Sequence, residues 1–339
     1  MQLRTLTYFL LITMTAVGIG CVKTSDSSDD DLVGNWMRRW DFEAKARTEA
    51  VSAVTADGKV FVGLGFDGIN RLTDFWEYNH SNEVWYQRQS FPGAPRNSAI
   101  CFSALNKIYV GLGYDGVNYL NDMWRYDPQT DAWEPVAAFP STGRSGAVAF
   151  SINDKGYVSS GYDGNHLKDF WEYDAAGDVW TKKNTHIGLK RNDAVAFVID
   201  NKAYFCTGVN NGEYVNDFFM YDPSTDTWEA KRPIANTDSD LDYDDDYTTI
   251  TRSNAVAFSL NGKGYITTGI NISYRSNTWE YDPATDLWAQ RTGFEGTDRE
   301  GAVAFVINNR AFVGLGNSSN LRFDNFWEFI PGVKQVDND

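Results

Sequence analysis

The chain has 339 residues, 42% hydrophobic and 15% aromatic, with a formal net charge of −16 at pH 7. That supplies apolar residues for a large core, and the acidic balance argues against nucleic acid and an anionic membrane surface as partners.

Residues 8–20 form the one long apolar stretch, preceded by Arg4 and too short for a comfortable membrane span. They read as the core of a signal peptide covering residues 1–20. Its end, Val17-Gly-Ile-Gly-Cys21, resembles the lipobox of bacterial lipoproteins, with Gly18 where leucine is usual. The resemblance implies that Cys21 is lipidated and becomes the first mature residue; an ordinary secretory peptide with an incidental cysteine is the other reading. Residues 21–32 are polar, acidic and unpatterned, and are expected to be a tether. The protein is then expected at the outer membrane or cell surface, touching lipid only through its anchor.

From residue 33 an internal repeat governs the chain. FWEYNHSNEVW at Phe75 returns as MWRYDPQTDAW at Met123, FWEYDAAGDVW at Phe170, FFMYDPSTDTW at Phe218 and TWEYDPATDLW at Thr278. The first tryptophan of the unit stands at Trp76, Trp124, Trp171, Trp279 and Trp327, with Phe219 in the fourth slot. A period of about 48 residues belongs to a β-propeller of four-stranded blades.

Each copy reads as four strands. Strand one starts at an arginine (Arg47, Arg96, Arg144, Arg191, Arg252, Arg299) and is rich in alanine, as strands converging on a propeller axis require. Asp57-Gly58, Leu105-Asn106, Asn153-Asp154, Asp200-Asn201, Asn261-Gly262 and Asn308-Asn309 are expected to be hairpin turns into strand two. Strands three and four are joined by Asp-Pro-x-Thr-Asp or a variant, where proline presets φ and the aspartates cap the turn. The tryptophans are expected to fill the wedge between diverging blades.

The last copy stops at Phe329 without a fourth strand, while Trp36 precedes Arg47 by the same interval that separates Trp85 from Arg96 and Trp133 from Arg144. The expectation is an all-β, six-bladed propeller over residues 33–330, closed by an N-terminal strand that completes the last blade, with 331–339 as a tail.

R-x-x-A, the glycine ending strand two, the D-x-W-x-Y-D run and the second tryptophan together resemble the kelch-repeat propellers. The chain departs from the usual Gly-Gly pair, carrying Gly-Leu-Gly, Ser-Ser-Gly, Cys-Thr-Gly or Thr-Thr-Gly instead. Members of that family include protein adaptors, a copper oxidase of galactose and a sialic-acid mutarotase, so the resemblance implies the fold and not one activity.

Function is expected on the face that collects the six arginines and the strand two-to-three loops. Phe66-Asp67, Tyr114-Asp115 and Tyr162-Asp163 set an aromatic ring beside a carboxylate, which suits a polyhydroxylated ligand by stacking and hydrogen bonding. Asn210, Asn211, Asn271 and Asn317 take the corresponding places in later blades. The arginines have a scaffold reading too, paired with Asp74, Asp122, Asp169 and Asp217.

One loop on that face is longer than the rest, inserting an acidic run between Trp228 and Arg252. Asp238, Asp240 and Asp242 have the alternate spacing of a calcium loop, but Tyr243 stands where its glycine belongs and Thr249 where its closing acid belongs. A solvated acidic lid offering Tyr243 and Tyr247 for contact is the preferred reading, with no cofactor required.

His80, His166 and His186 form no metal or nucleophile motif, and the copper set of a galactose oxidase has no counterpart here. Cys101 and Cys206 fall in different blades and read as small buried residues. Glu49, Asp193 and Glu300 beside the arginines are the candidates for acid–base work. Two functions follow: a non-enzymatic, lipid-tethered module binding a glycan or a protein, and, as the alternative, a sugar mutarotase or epimerase resembling N-acetylneuraminate epimerase.

Overall fold

The computed structural model describes residues 32–337 and 339. The signal peptide, Cys21 and the tether up to residue 31 lie outside the described residues.

Six four-stranded antiparallel sheets surround one axis. Blade one is Val51–Val54, Val60–Gly63, Phe75–Asn79 and Val84–Arg88, and the next four repeat this order. In blade six the inner strands Val303–Ile307 and Arg310–Gly314 lead to Asn325–Lys334, whose outer partner is Val33–Asp41 from the start of the domain. Trp36 sits opposite Phe329, as Trp85 sits opposite Tyr78 and Trp133 opposite Tyr126. The swapped strand thus falls in the register of the other five fourth strands and leaves blade six no open edge there.

The last strand continues to Lys334, further than the expected boundary at residue 330. Beyond it, the Trp36 and Val336 amides donate to the Gln335 and Asn35 side chains, tying the tail to the closing strand.

Local chemistry explains the turns. Leu105-Asn106, Asn153-Asp154, Asp200-Asn201 and Asn308-Asn309 have both residues at positive φ, as does Asn261-Gly262. Asp57-Gly58 differs: Gly58 alone is left-handed, within a longer loop closed by the Thr55 amide on the Lys59 carbonyl. In the strand three-to-four turns the first aspartate caps an amide, as Asp127 does for Gln129. The second accepts the Tyr hydroxyl of strand three (Tyr126 to Asp131, Tyr173 to Asp178, Tyr221 to Asp226, Tyr281 to Asp286).

Large rings fill the seams. Tyr126 meets Phe61 and Phe75 of the preceding blade at 5.4 and 5.1 Å, and Tyr281 meets Phe218 at 4.8 Å. Phe329 meets Tyr265 at 5.3 Å and Tyr78 meets Phe305 at 6.2 Å, so the aromatic seam crosses the closure as well. Cys206 is buried, Cys101 partly so, and neither is in a disulfide.

Candidate functional site

Each strand-one arginine is fully buried, so its guanidinium lies beneath the loop face and not on it. The Asp pairing exists in four blades: Arg47 with Asp74, Arg96 with Asp122, Arg144 with Asp169 and Arg191 with Asp217. In the first three of these blades the strand-three tryptophan donates its indole N–H to the same aspartate at 2.8 Å. Burial alone would raise these carboxyls, but the arginine hydrogen bonds overcome it and hold Asp74, Asp122 and Asp169 below the usual range. In the last two blades Asn277 and Asn325 replace the acid, and burial drives Arg252 and Arg299 down to about 9.

An aromatic residue stands five positions before every arginine: Phe42, Phe91, Phe139, His186, Tyr247 and Phe294. The phenylalanines carry the guanidinium over their rings at 4.8 to 5.0 Å. His186 occupies the same slot, fully buried and stacked on Phe219 at 5.1 Å, with neither ring nitrogen hydrogen-bonded. Burial, then Arg191 and Lys168, push its pKa down to about 3 and keep it neutral. This interval was visible in the sequence and explains His186 as a core residue.

Two residues after each arginine the chain turns into the axis. Glu49, Ser98, Gly146, Asp193, Asn254 and Gly301 all have φ between 50 and 61°. Their backbones form a closed ring across blades: Ser98 N donates to Glu49 O (3.1 Å), Gly146 to Ser98 (3.2 Å), Asp193 to Gly146 (2.8 Å), Asn254 to Asp193 (3.1 Å), Gly301 to Asn254 (2.9 Å) and Glu49 to Gly301 (2.8 Å). The ring opens into a cavity of ≈ 130 Å³ whose lower wall is alanine, one from each blade, immediately ahead of its inner strand. The glycines are required by their neighbours, since a Cβ on Gly146 would lie 2.3 Å from Asp193 Oδ1 and one on Gly301 2.2 Å from Thr48 Oγ1.

Two of the acid–base candidates, Glu49 and Asp193, therefore line one mouth, and Glu300 stands beside it against Asn254. Asn97 and Ser98 donate to Glu49, Asn192 Nδ2 to Asp193 at 2.5 Å and Asn254 Nδ2 to Glu300 at 3.2 Å. Burial, reinforced by the neighbouring Glu49 and Glu300, pushes Asp193 up to about 8, and burial likewise raises Glu300. The mouth is lined by carboxyl, amide and hydroxyl groups with no guanidinium among them.

Around the mouth the strand two-to-three loops form a buckled rim. The residue opening the return leg of each loop reaches the next blade: Arg322 lies over Phe66 (5.6 Å), Arg71 over Tyr114 (4.9 Å), and Tyr119 meets Tyr162 edge-on (5.9 Å). His166 Nε2 then accepts from Asn211 N (2.9 Å), Tyr214 OH from Ile272 N (3.3 Å) and Tyr274 OH from Ser319 N (2.7 Å). The aromatic-Asp-Gly loops receive a guanidinium or a ring edge from the preceding blade, and the later blades instead offer an amide at a left-handed tip. Asp67, Asp115 and Asp163 accept amides of their own turns, from Asn70, Asn118 and Asn165. Phe66, Tyr114 and Tyr162 are half-buried members of this belt. Arg71, Tyr119, His166, Tyr214, Tyr274 and Arg322 were not legible from the sequence, because each acts on the following blade.

The acidic insertion differs from the expected lid. Tyr247 is buried and its hydroxyl accepts the Trp288 amide at 2.6 Å, so it belongs to the core and offers nothing for contact. Tyr243 packs edge-on against it at 5.9 Å beneath Arg232. Asp238, Asp240 and Asp242 do not converge, and among the described residues no group of three or more His, Cys, Asp or Glu is placed to hold a metal ion.

Comparisons with known proteins agree with this architecture. Residues 37–190 match the KLHDC2/KLHL20/DRC7 Kelch-repeats domain and residues 190–233 the Kelch motif. A solved structure titled "Structure of YjhT" superposes with a TM-score of 0.70 at 16% identity, covering 85% of this chain and 95% of that one, which shows a shared fold. No curated protein matches the sequence. With kelch repeats matched across more than half its length and six blades built to one pattern, the chain belongs to the kelch-repeat family of β-propellers.

Proposed function

We propose that the protein is an exported, lipid-tethered binding module that takes a glycan or a protein segment on its loop face. The observation that carries this reading is the set of concentric rings there: amides, hydroxyls and carboxyls at the axial mouth, bounded by a belt of half-buried aromatic rings. Such a surface offers both hydrogen-bond partners for hydroxyl groups and flat apolar faces. The arginines add nothing to it, since each is spent on its aspartate or asparagine and on backbone carbonyls.

Orientation supports the tether. Val33 pairs with Lys334 at the end of the propeller opposite the arginine loops, so an anchor at Cys21 holds the loop face away from the membrane.

One observation favours the mutarotase reading: Asp193, at about 8, titrates near neutral pH as an acid–base group must. The two readings separate by experiment. Domain 33–339 is screened on a glycan array and by pull-down, and Ser98→Trp is made to fill the mouth. Hits lost in Ser98→Trp at unchanged melting temperature support the module. Unchanged binding overturns the axial mouth as the site, and accelerated anomer exchange of a bound sugar by NMR overturns the non-enzymatic reading.

A further inference from the structure

The rim is not equally closed at every seam. In blade one Arg322 lies 3.4 Å from where a Cβ of Gly68 would stand, and in blade two Arg71 lies 2.7 Å from the same point on Gly116. The equivalent Gly164 of blade three has nothing within 4 Å. Blade two carries Tyr119 where blades six and one carry Arg322 and Arg71, and its edge-on contact to Tyr162 leaves this loop uncovered.

A pocket of ≈ 220 Å³ lies there, between blades three and four, lined by Tyr162, Gly164, Asn165, His166, Lys190 and the Asn210-Asn211 turn. Its walls hold one formal cation and no carboxylate. Lys190 is exposed and makes no ion pair among the described residues, in a protein of net charge −16. Glu213, opposite Asn210 in the short hairpin, is exposed and outside the lining. The His166 ring is fixed at one wall by the Asn211 amide on its Nε2 and lies 5.1 Å from the Tyr162 ring.

We propose that this seam is a subsite for a carboxylate-bearing pyranose, a uronic acid unit of an acidic polysaccharide. The Lys190 ammonium takes the carboxylate, the Asn165, Asn210 and Asn211 amides take ring hydroxyls, and Tyr162 supplies the apolar face. The volume suits one sugar ring, and the axial mouth, lined by Glu49 and Asp193 with no basic side chain, offers the same carboxylate no counter-charge. The site therefore selects an acidic unit at the rim while neutral units extend over the centre. This rests on the glycan-binding reading above and narrows it.

The test uses the soluble domain 33–339, with glucuronate, galacturonate, glucose and acetate as probes, followed by NMR line broadening and calorimetry. The expected result is that a uronate binds at least fivefold more tightly than glucose or acetate, and that Lys190→Gln removes this preference without lowering the melting temperature. Tyr162→Leu is expected to weaken uronate and spare acetate. Equal binding of uronate by wild type and Lys190→Gln overturns the subsite, as does equal affinity for glucose and glucuronate. Array hits confined to neutral glycans overturn the acidic class while leaving the module reading intact, whereas an array and pull-down without any hit removes both.

Discussion

Arg252 donates from Nη1 to the carbonyl of Thr268 at 2.8 Å, and Thr268 is a β-branched residue held at φ 59°. The same clamp joins Arg47 to Leu64, Arg96 to Leu112, Arg144 to Ser160, Arg191 to Thr207 and Arg299 to Leu315 at 3.0 to 3.1 Å. Every carbonyl clamped in this way belongs to a left-handed non-glycine residue. These are the positions where the chain departs from the kelch Gly-Gly pair, and a left-handed conformation there costs roughly 1–2 kcal/mol. Leu64, Leu112 and Leu315 are wholly buried and recover that cost by filling the core.

Thr207 and Thr268 recover less, because both hydroxyls are buried without a partner. Thr268→Gly is expected to raise stability by about 1 kcal/mol, by relieving the strain and the orphan hydroxyl together. Arg96→Ala is expected to cost about 2 kcal/mol, chiefly because it leaves the buried Leu112 carbonyl without its donor, the Asp122 carboxylate being partly open to water. Urea melts of the two variants check both signs.

Deleting residues 33–40 removes most of the closing strand and strips Trp36 from between Phe294 and Phe329, at 5.0 and 4.9 Å. Loss of a buried tryptophan alone costs about 3–5 kcal/mol, and an opened sheet edge adds to it. The truncated domain is expected to melt well below the complete one and to aggregate. Equal melting temperatures would contradict the closure.

His186 predicts an acid-side weakness. Its folded pKa of about 3 lies below the ordinary 6.5, so between those values the unfolded chain binds the extra proton. Stability therefore falls as pH drops through 6.5 toward 3. His186→Phe, matching the other blades, is expected to add about 1 kcal/mol at neutral pH by removing two unpartnered nitrogens and to flatten that slope. Melting temperatures from pH 4 to 7 decide it.

Asp193 acts with the opposite sign. Its folded pKa of about 8 exceeds the ordinary 3.8, so the folded state keeps a proton across that window and stability declines as pH rises from 4 to 8. Asp193→Asn is expected to remove the decline and to be the more stable protein at pH 8. A slope unchanged by the substitution would show that Glu300 carries the proton instead.

Cys21→Ala tests the anchor. Fatty-acid labelling and membrane partitioning are expected to vanish together, since among the described residues no helix is long and apolar enough to cross a membrane. Wild-type protein recovered soluble, with cleavage elsewhere, would contradict lipidation.

The sequence by itself determined the blade count, the swapped closing strand and the Arg–Asp pairs. Those features recur at fixed intervals, and a repeat reports the contacts that each blade makes within itself. The aromatic residue five positions before each arginine was equally legible, and it accounts for His186 and for the burial of Tyr247. Only the tertiary structure decided which side chains reach the loop face. The arginines, which looked like site residues by position, turn inward because the left-handed carbonyl and the half-buried aspartate or asparagine of each blade both take a donor from the guanidinium. Arg71, Tyr119 and His166, unremarkable in their own repeats, shape the rim because each side chain acts on the next blade, and interval and composition do not encode which neighbour a loop residue reaches. For the same reason the open seam at Gly164 appears only when blades two and three are set side by side.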